Sequence, residues 1–531
     1  MKFKSFSIKE SRFEFQLNLC KFILCTYTIL RIYFSLLGKN HFILLLFIAF
    51  SSACQFEKET KSLTSPNVLF IAVDDLRPEL GVYGNQTVKS PNIDKLANEG
   101  SYFTRHYVQV PTCGASRYSL MTGMRPRKRI HVDNKAFYEE TSQQPERERP
   151  ESFVHHLKRN GYNTVGVGKI SHSADGLVYQ YEEQPTKIKE MPHSWNRFTF
   201  NPGKWKTGWN AFFAYANGEN RQSLKGQVKP YENEDISDDG YPDGLILKSA
   251  LDELKRLKEE EKPFFLGVGF FKPHLPFNAP KKYWDIYHRD SISIAPDPNI
   301  PTGVNPVSLG KMGEFYNYEL SDEKPTLKQT VSDEYARKLI HGYYASISYI
   351  DNLIGKLIRE LESLDLDKNT MVILWGDHGW HLGNDRKWGK HTLFERSLKS
   401  ALIIKLPGKQ NKNKKINSIV ETVDIYPTLM EFCSITPPYK LDGESLLKHM
   451  NSVNTNKKNI AYSYWKDGIS IRTEKYRLTK FFRKEEPKIE LYDHLLDSEE
   501  NNNIAFVNKK LIDSLMPTLM KSIPKFYQVA N

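Results

Sequence analysis

The chain contains four short, continuous apolar runs, and each of them ends in polar or charged residues. Continuous apolar runs predict strands whose two faces are both buried, as in a sheet enclosed by helices. Segments with helical periodicity lie between them, over residues 152–160, 244–257 and 335–364. Strands that alternate with helices predict an α/β domain. The four apolar runs are residues 67–73, 164–168, 263–270 and 371–375.

Polar side chains with catalytic or ligand chemistry follow each of these runs. In an open α/β sheet, ligands bind beyond the carboxyl ends of the strands. We therefore expect these side chains to meet at one edge of the sheet and to form the functional site. They are Asp74-Asp75, Lys169 to His172, Lys272 to His274, and Asp377-His378.

The rest of the chain divides into long polar segments and a second region of short strands. At 531 residues we expect one large domain and one smaller domain. Residues 175–210 and 287–333 are polar and aromatic-rich, and are predicted to be loops or lids that set specificity. The predicted main domain spans 66–440, and an α+β subdomain with an antiparallel sheet spans 455–531. The predicted C-terminal elements are strands at 460–464, 469–473, 476–482 and 488–493 and a final helix at 509–522.

The N-terminus has the pattern of an export signal. Lys39 precedes an apolar run at 42–50, which small residues and Cys54 follow. The pattern resembles a bacterial lipoprotein signal, so we expect a targeting region at 1–53, a linker at 54–65 and a lipid anchor at Cys54. The expected location is the bacterial periplasm or the outer membrane. A second apolar stretch, 17–37, is either a membrane segment or an over-long basic region from a misplaced start.

The charge balance is moderately basic. The formal net charge is +12, but residues 1–53 hold seven Lys/Arg and two Asp/Glu, so the rest of the chain carries +7. This excess suits an anionic polymer as a substrate. We find no nucleic-acid-binding module and expect no nucleic-acid partner.

Cysteine usage singles out Cys113. If cleavage precedes Cys54, Cys113 and Cys433 are the thiols that remain, and no disulfide framework is possible. Cys433 is interpreted as a core residue. Cys113 opens the run Cys-Gly-Ala-Ser-Arg at a predicted helix N-terminus, where free N–H groups favour an anion. A nucleophilic thiol of lowered pKa and a buried structural cysteine both remain open on this evidence.

The acidic pairs suggest a cation site. Adjacent acids at a strand end converge on one ion only if the chain bends there, and each pair alone is also typical of a turn. Together Asp74, Asp75, Asp377 and His378 suffice for a divalent cation. Carboxylates favour Ca²⁺ or Mg²⁺, whereas the histidine by itself would suggest Zn²⁺.

In combination these motifs resemble a known family. The run from Cys113 to Arg117, together with segments 67–85, 166–172, 269–280 and 372–390, resembles the type I, formylglycine-dependent sulfatases of the alkaline-phosphatase-like superfamily. Many sulfatases carry asparagine at the position of His378. With histidine there, the motif is most similar to that of the iduronate-2-sulfatase branch. The resemblance implies a large mixed, mostly parallel sheet sandwiched by helices, with 66–440 as the catalytic domain.

The resemblance also implies residue roles. One Ca²⁺, with Mg²⁺ as the lesser alternative, is expected to bind Asp74, Asp75, Asp377, His378 and Cys113 after its oxidation to formylglycine. Arg117 is expected to hold the formylglycine hydroxyls. The remaining matches are the sulfate-binding residues Lys169 and Lys390 and the acid/base residues His172 and His274. Without the resemblance, Lys387 would be as good a candidate as Lys390.

The expected function is a sulfuric ester hydrolase that removes sulfate from a sulfated oligo- or polysaccharide, acting at a chain end. Ala115 implies maturation by a radical-based formylglycine-installing enzyme. The basic residues Lys475, Arg477 and Lys480 are candidates for meeting a substrate carboxylate. One alternative is another hydrolase of the superfamily, such as a choline-type sulfatase or a phosphonate or phosphate monoesterase. A second is an inactive lipoprotein that binds sulfated glycans.

Overall fold

The structure is a computed structural model that describes residues 65–140, 150–178, 186–408, 412–451 and 460–528. The predicted targeting region, Cys54 and the apolar stretch 17–37 lie outside the described residues. In the described ranges no helix combines the length and the apolar character needed to cross a membrane. The compact unit begins at Ser65.

A central eight-stranded sheet organises the molecule. In chain order the strands are β1 (Asn67–Val73), β2 (Ser101–Tyr107), β3 (Asn163–Gly168), β4 (Arg197–Thr199), β5 (Phe264–Phe270), β6 (Thr370–Gly376), β7 (Leu402–Lys405) and β8 (Lys414–Glu421). The strand order in the sheet is β8-β2-β7-β6-β1-β5-β3-β4, and β7 alone runs antiparallel to its neighbours. The predicted mixed, mostly parallel sheet is therefore confirmed.

Helices cover both faces of this sheet, as the continuous apolar runs predict. All seven residues of β1 are buried; Leu69, Ile71 and Val73 face one core, and Val68, Phe70 and Ala72 face the other. The helices are α1 (Pro91–Asn98), α2 (Cys113–Thr122), α3 (Ala136–Glu140), α4 (Phe153–Arg159), α5 (Gly208–Phe212), α6 (Pro242–Glu260), α7 (Lys281–Trp284), α8 (Asp333–Ser363), α9 (Glu395–Leu398), α10 (Ile425–Phe432), α11 (Leu447–Asn451), α12 (Lys509–Met520) and α13 (Lys525–Gln528).

A second, four-stranded antiparallel sheet follows near the C-terminus, also as predicted. Its strands are β9 (Ala461–Trp465), β10 (Gly468–Arg472), β11 (Tyr476–Phe481) and β12 (Ile489–Asp493). Its apolar side packs with α12 and also contacts Val110, Ala115 and Val132, so it supports the start of α2. The boundaries at 66–440 and 455–531 remain predictions.

Sequence reasoning did not find β2, β7 and β8. These strands lie on one side of β6, and β8 at the sheet edge mixes buried and exposed positions, with Lys415 and Asn417 exposed. β2 and β8 lack the continuous apolar run that marks β1 and β6, whereas β7 has such a run, Ala401 to Ile404, but a shorter one. The two predicted loops are mostly irregular, with β4 and α5 in or near the first.

Candidate active site

The ends of β1 and β6 bring the predicted acids together. Asp75, the second residue after β1, has a left-handed backbone with φ of 59°, and this bend turns the two neighbouring carboxylates toward one site. The Asp75 backbone N–H donates to Asp377 Oδ1 at 2.9 Å. The Tyr343 hydroxyl donates to the Asp75 carbonyl at 2.6 Å and fixes the bend from helix α8.

Cys113 is the first residue of α2 and points into the same site. Its Sγ lies 3.4 Å from Nε2 of His378, and Lys390 Nζ donates to it at 3.3 Å. Asn134 fixes this end of the helix, because its Oδ1 accepts from both Thr112 Oγ1 and the Gly114 N–H at 2.9 Å. The helix N-terminus is therefore anchored on the two sides of Cys113.

Each acid of the site is paired with a buried cation. Lys169 Nζ donates to Asp74 Oδ2 at 2.5 Å, and Lys390 Nζ donates to Asp75 Oδ1 at 2.9 Å. Arg117 Nε donates to Asp377 Oδ2 at 2.9 Å. These six side chains, all at most 1% exposed, are called the strand-end cluster: Asp74, Asp75, Arg117, Lys169, Asp377 and Lys390.

The donor atoms fit a divalent cation. One ligand atom each from Asp74, Asp75, Cys113 and His378 lies within 4.8 Å of the others. Asp75 Oδ2 is buried and accepts no hydrogen bond from the described residues. Asp377 stands beside this group, with its Oδ1 3.7 Å from His378 Nε2. Carboxylate oxygens are the ligands that Ca²⁺ and Mg²⁺ prefer, so a cation would satisfy the orphaned oxygen.

Burial shifts the ionisation of these groups. Burial raises the pKa of Asp75 well above its usual range despite the nearby Lys390. Burial, with the Asp74 charge, raises the pKa of Asp377 to about 7. The same two causes raise the pKa of the Cys113 thiol well above its usual range, so the thiolate is disfavoured. An added positive charge would favour all three anions.

Both predicted histidines border the cluster. His274 Nε2 lies 3.9 Å from Asp75 Oδ2, while its Nδ1 lies 2.5 Å from the Leu275 carbonyl. Burial and the Lys390 charge lower the pKa of His274 well below its usual range, and burial with the Lys169 charge does the same for His172. Both imidazoles are therefore neutral at neutral pH and can accept a proton.

The structure separates the two candidate lysines. Lys387 Nζ donates to the carbonyls of Leu309 and Lys311 at 2.7 and 3.2 Å, so it holds a loop and does not reach Cys113. Lys390 lies in the cluster. Of the three basic C-terminal candidates, Arg477 is buried in ion pairs with Glu395 and Glu500, which contradicts a role in meeting substrate.

Several residues at the site escaped sequence reasoning. Glu314, in the loop predicted at 287–333, places Oε2 3.3 Å from Lys390 Nζ. Lys272 is among the predicted strand-end side chains, but its role is not predicted: it donates to the carbonyls of His274 and Pro276 at 3.0 and 2.6 Å and holds the His274 loop. Asn134 lies in no motif that marks it.

A cavity of about 430 Å³ lies next to Cys113, between the main sheet and the C-terminal sheet. His391 stacks on Trp465 at its wall, with ring centres 4.8 Å apart and planes 8° from parallel. Two lysines, Lys311 and Lys466, supply positive charge. The cavity lining is Thr112, Asp133, Asn134, Gly310, Lys311, Gly313, Glu314, His391, Trp465 and Lys466.

Comparison with known proteins gives a consistent result. A family described as sulfatase matches residues 66–435, and one described as N-sulphoglucosamine sulphohydrolase, C-terminal, matches 376–528. The chain is 30% identical to human (Homo sapiens) iduronate 2-sulfatase over 451 residues, 76% of each protein. It is 30% identical to a sulfatase of Formosa agariphila over 503 residues, 90% of this chain and 92% of that protein.

A solved structure also shares the fold. That protein, in complex with its substrate D-glucosamine-2-N,6-O-disulfate, superposes with a TM-score of 0.65 at 19% identity, covering 86% of this chain and 96% of its own. At this identity the likeness shows the fold alone. The family match spans most of the chain and contains Asp74, Cys113 and Asp377. The chain therefore belongs to the sulfatase family, and it is a sulfuric ester hydrolase.

Proposed function

We propose that the protein removes sulfate from the end of a sulfated carbohydrate chain, in the manner of an iduronate-2-sulfatase. Residue 113 would act as formylglycine and one Ca²⁺ would bind beside it. The observation that carries this proposal is the position of Cys113 Sγ, which contacts Lys390 and His378 at the centre of the strand-end cluster. A sulfate ester bound there would meet two lysines and an adjacent cation site.

The state of residue 113 follows from its surroundings. The raised pKa of Cys113 makes an unmodified thiol a poor nucleophile at neutral pH. Formylglycine would instead supply a hydrated aldehyde, whose one hydroxyl attacks sulfur and whose second hydroxyl later expels sulfate. Arg117, Lys390 and His378 are the residues that would hold this side chain. Asp74, Asp75, Asp377 and His378 would hold the cation, which supplies positive charge next to the nucleophile.

The remaining side chains bind and transfer protons. Lys169 and Lys390 stabilise the non-bridging oxygens of the ester, where negative charge is held in the transition state. His274 protonates the departing sugar oxygen, and the charge of the bound ester favours the imidazolium that this step needs. His172, which is neutral when free, accepts the proton released when sulfate leaves. Lys272 positions His274 by donating a hydrogen bond from Nζ to the His274 carbonyl.

The cavity beside Cys113 supports action at a chain end. Its volume of about 430 Å³ suits one sugar unit, and the loop with Glu314 and the hairpin with Trp465 enclose it. The stacked pair of His391 and Trp465 offers an aromatic wall of the kind that sugar rings pack against. Lys311 and Lys466 suit the carboxylate of an acidic sugar.

We further propose that the protein is exported as a lipoprotein through Cys54 and matured by a radical-based enzyme that accepts Ala115. The N-terminal sequence pattern and the Cys-Gly-Ala-Ser-Arg run support these two points. Expression in a host that lacks such an enzyme is expected to give inactive protein with an intact fold.

A substrate panel tests the specificity. Wild-type protein and Cys113→Ala are incubated with oligosaccharides that carry a 2-O-sulfated uronic acid at the terminal or an internal position, with N- and 6-O-sulfated glucosamine, and with a phosphate ester. Ion chromatography measures the free sulfate or phosphate. We expect release from the terminal 2-O-sulfated uronic acid by the wild type alone. Faster release from internal positions would contradict exo action, and faster phosphate release would contradict the substrate class.

A further inference from the structure

A second cavity, of about 490 Å³, lies apart from the active-site cavity and shares no lining residue with it. We call it the basic cavity. One wall follows β1, a second is α9 with Lys399, and a third comes from the C-terminal sheet. Its lining is Arg77, Pro78, Glu79, Tyr83, Asn85, Arg105, Glu395, Arg396, Lys399, Arg472, His494, Ser498 and Glu499.

Positive charge exceeds negative charge in this lining. Five arginine or lysine side chains face three glutamates. Glu79 pairs with Arg77, and Glu499 pairs with Arg396. Two of the five cations are thus neutralised, and the third acid, Glu395, is left for the other three.

Glu395 is already committed to other partners. Its Oε2 accepts from Arg477 at 2.5 Å and from Arg472 at 3.3 Å, and its Oε1 accepts from the Tyr107 hydroxyl at 2.7 Å. Lys399 Nζ lies 4.0 Å from Oε1, at the limit of an ion pair. Arg105 forms no ion pair with a described residue. Arg105 and Lys399 are therefore surplus cations in the cavity.

A metal site does not explain the same region. Glu395, His494 and Glu500 bring ligand atoms within 4.8 Å of one another. However, the Arg477 guanidinium already lies between the two acids, with Nη2 2.5 Å from Glu395 and Nε 2.5 Å from Glu500. The Arg477 guanidinium therefore occupies the position that a metal ion would take. The open side of the basic cavity presents arginine and lysine.

The pKa values of two cations in the lining are lowered, which is the effect expected of a cavity with unbalanced positive charge. Burial and the Arg77 charge lower the pKa of Arg396 to about 10, although the Glu79 charge opposes this shift. Burial also lowers the pKa of Lys399, and Arg396, Arg472 and Arg105 add to this effect while Glu395 opposes it. A bound anion would relieve this repulsion.

We propose that the basic cavity binds a sulfate group, outside the active site. Guanidinium groups match the paired oxygens of a tetrahedral oxyanion, and a sulfuric ester hydrolase meets sulfate both on its substrate and as its product. The cavity volume exceeds that of one sulfate ion and leaves room for the sugar that carries it. The site does not depend on the identity of the catalytic nucleophile.

The test uses a charge-matched pair of variants. Arg105→Gln with Lys399→Gln removes both surplus cations. Lys509→Gln with Lys510→Gln removes the same charge from exposed positions on α12 and serves as the control. Both side chains changed in the test variant are partly exposed and lie outside the catalytic residues, so activity on a small aryl sulfate is expected to remain. Thermal melting verifies the fold of each variant.

Two probes distinguish the source of the sulfate. Immobilised dextran sulfate measures polymer binding, and sodium sulfate against sodium chloride at equal ionic strength measures thermal stabilisation by the free ion. We expect the test variant to bind dextran sulfate roughly ten-fold or more weakly than the control. If sodium sulfate also no longer stabilises the test variant, the site binds both free sulfate and sulfate carried on a polymer. If sodium sulfate still stabilises the test variant, the site binds sulfate carried on a polymer. Either outcome supports the proposal.

Location is tested directly by diffraction. Crystals soaked in sodium selenate are expected to show an anomalous peak beside Arg105 and Lys399 in the control and none in the test variant. Binding of both probes by the test variant as strongly as by the control would overturn the proposal. If sodium sulfate stabilises the control and not the test variant, the absence of a selenate peak in the basic cavity of the control crystals would also overturn it.

Discussion

Two buried charge networks in this protein differ in how completely their acids are satisfied. In the first, the strand-end cluster, Asp75 Oδ2 is buried and accepts no hydrogen bond from the described residues. The second is the Arg477 network, defined as Glu395, Arg472, Arg477, His494 and Glu500. There every carboxylate oxygen of Glu395 and Glu500 accepts at least one hydrogen bond.

The difference separates a binding site from a structural element. Burying a carboxylate oxygen without a hydrogen-bond partner costs free energy. Its presence in the folded protein therefore indicates that a ligand binds to it. In the Arg477 network one guanidinium bridges both acids and joins α9 to the C-terminal sheet. Removing a member should therefore alter chemistry in the first network and stability in the second.

The largest expected effect is on catalysis. Cys113→Ala removes the proposed nucleophile, and we expect kcat to fall by roughly 10³-fold or more while the fold is kept. Sulfate release from the best substrate of the panel measures this. Cys433→Ala, at a buried cysteine away from the site, is the matched control and should keep kcat. Substantial turnover by Cys113→Ala would contradict the proposed chemistry.

The second largest effect is on stability. Arg477→Met leaves Glu395 and Glu500 buried without their shared cation, and we expect the free energy of unfolding to fall by about 3–5 kcal/mol. Denaturant unfolding measures it. Lys475→Met, at an exposed neighbour, should change stability by less than about 0.5 kcal/mol. Equal stability of the two variants would show that the Arg477 network is not structural.

Cation binding should stabilise the strand-end cluster and not the Arg477 network. After chelation, Ca²⁺ at about 100 times its Kd is expected to raise the free energy of unfolding by about 2.7 kcal/mol. Asp75→Asn should abolish this gain, because it removes the charge of the orphaned carboxylate. Glu500→Gln should lower the baseline stability yet keep the gain. A Ca²⁺ response that survives in Asp75→Asn would place the ion elsewhere.

The smallest expected effect comes from positioning. Asn134→Ala removes the acceptor that holds Thr112 and Gly114 around Cys113, and we expect kcat to fall about ten-fold with a smaller change in KM. Asn134→Asp keeps the acceptor oxygen and should recover most of the activity. If both variants lose activity equally, the acceptor is not what positions the helix.

Much of this arrangement was predictable from the sequence. The continuous apolar runs identified β1 and β6, and the rule that ligands bind at strand ends placed Asp74 and Asp377 together. Convergence of the adjacent acids on one ion requires a bend at Asp75, but its φ is set by contacts from Asp377 and Tyr343, far away in the chain. Such long-range contacts leave no local pattern.

The parts that could not be predicted share that cause. Lys387 and Lys390 have the same chemistry, and only the fold of the loop at Leu309 separates them. Glu314 reaches Lys390 from an irregular segment that has no periodicity to read. Arg477 has the chemistry to meet a substrate carboxylate, but Glu395 and Glu500, both distant in the chain, already form ion pairs with it.

The central claim is that residue 113 acts as an aldehyde and not as a thiol. Mass analysis of the tryptic peptide 106–117, from protein made in its native host and shown to release sulfate, tests it most directly. We predict the mass of formylglycine at position 113, and a hydrazide reagent should label the same peptide. Active protein whose peptide carries an unmodified cysteine thiol throughout would contradict the account.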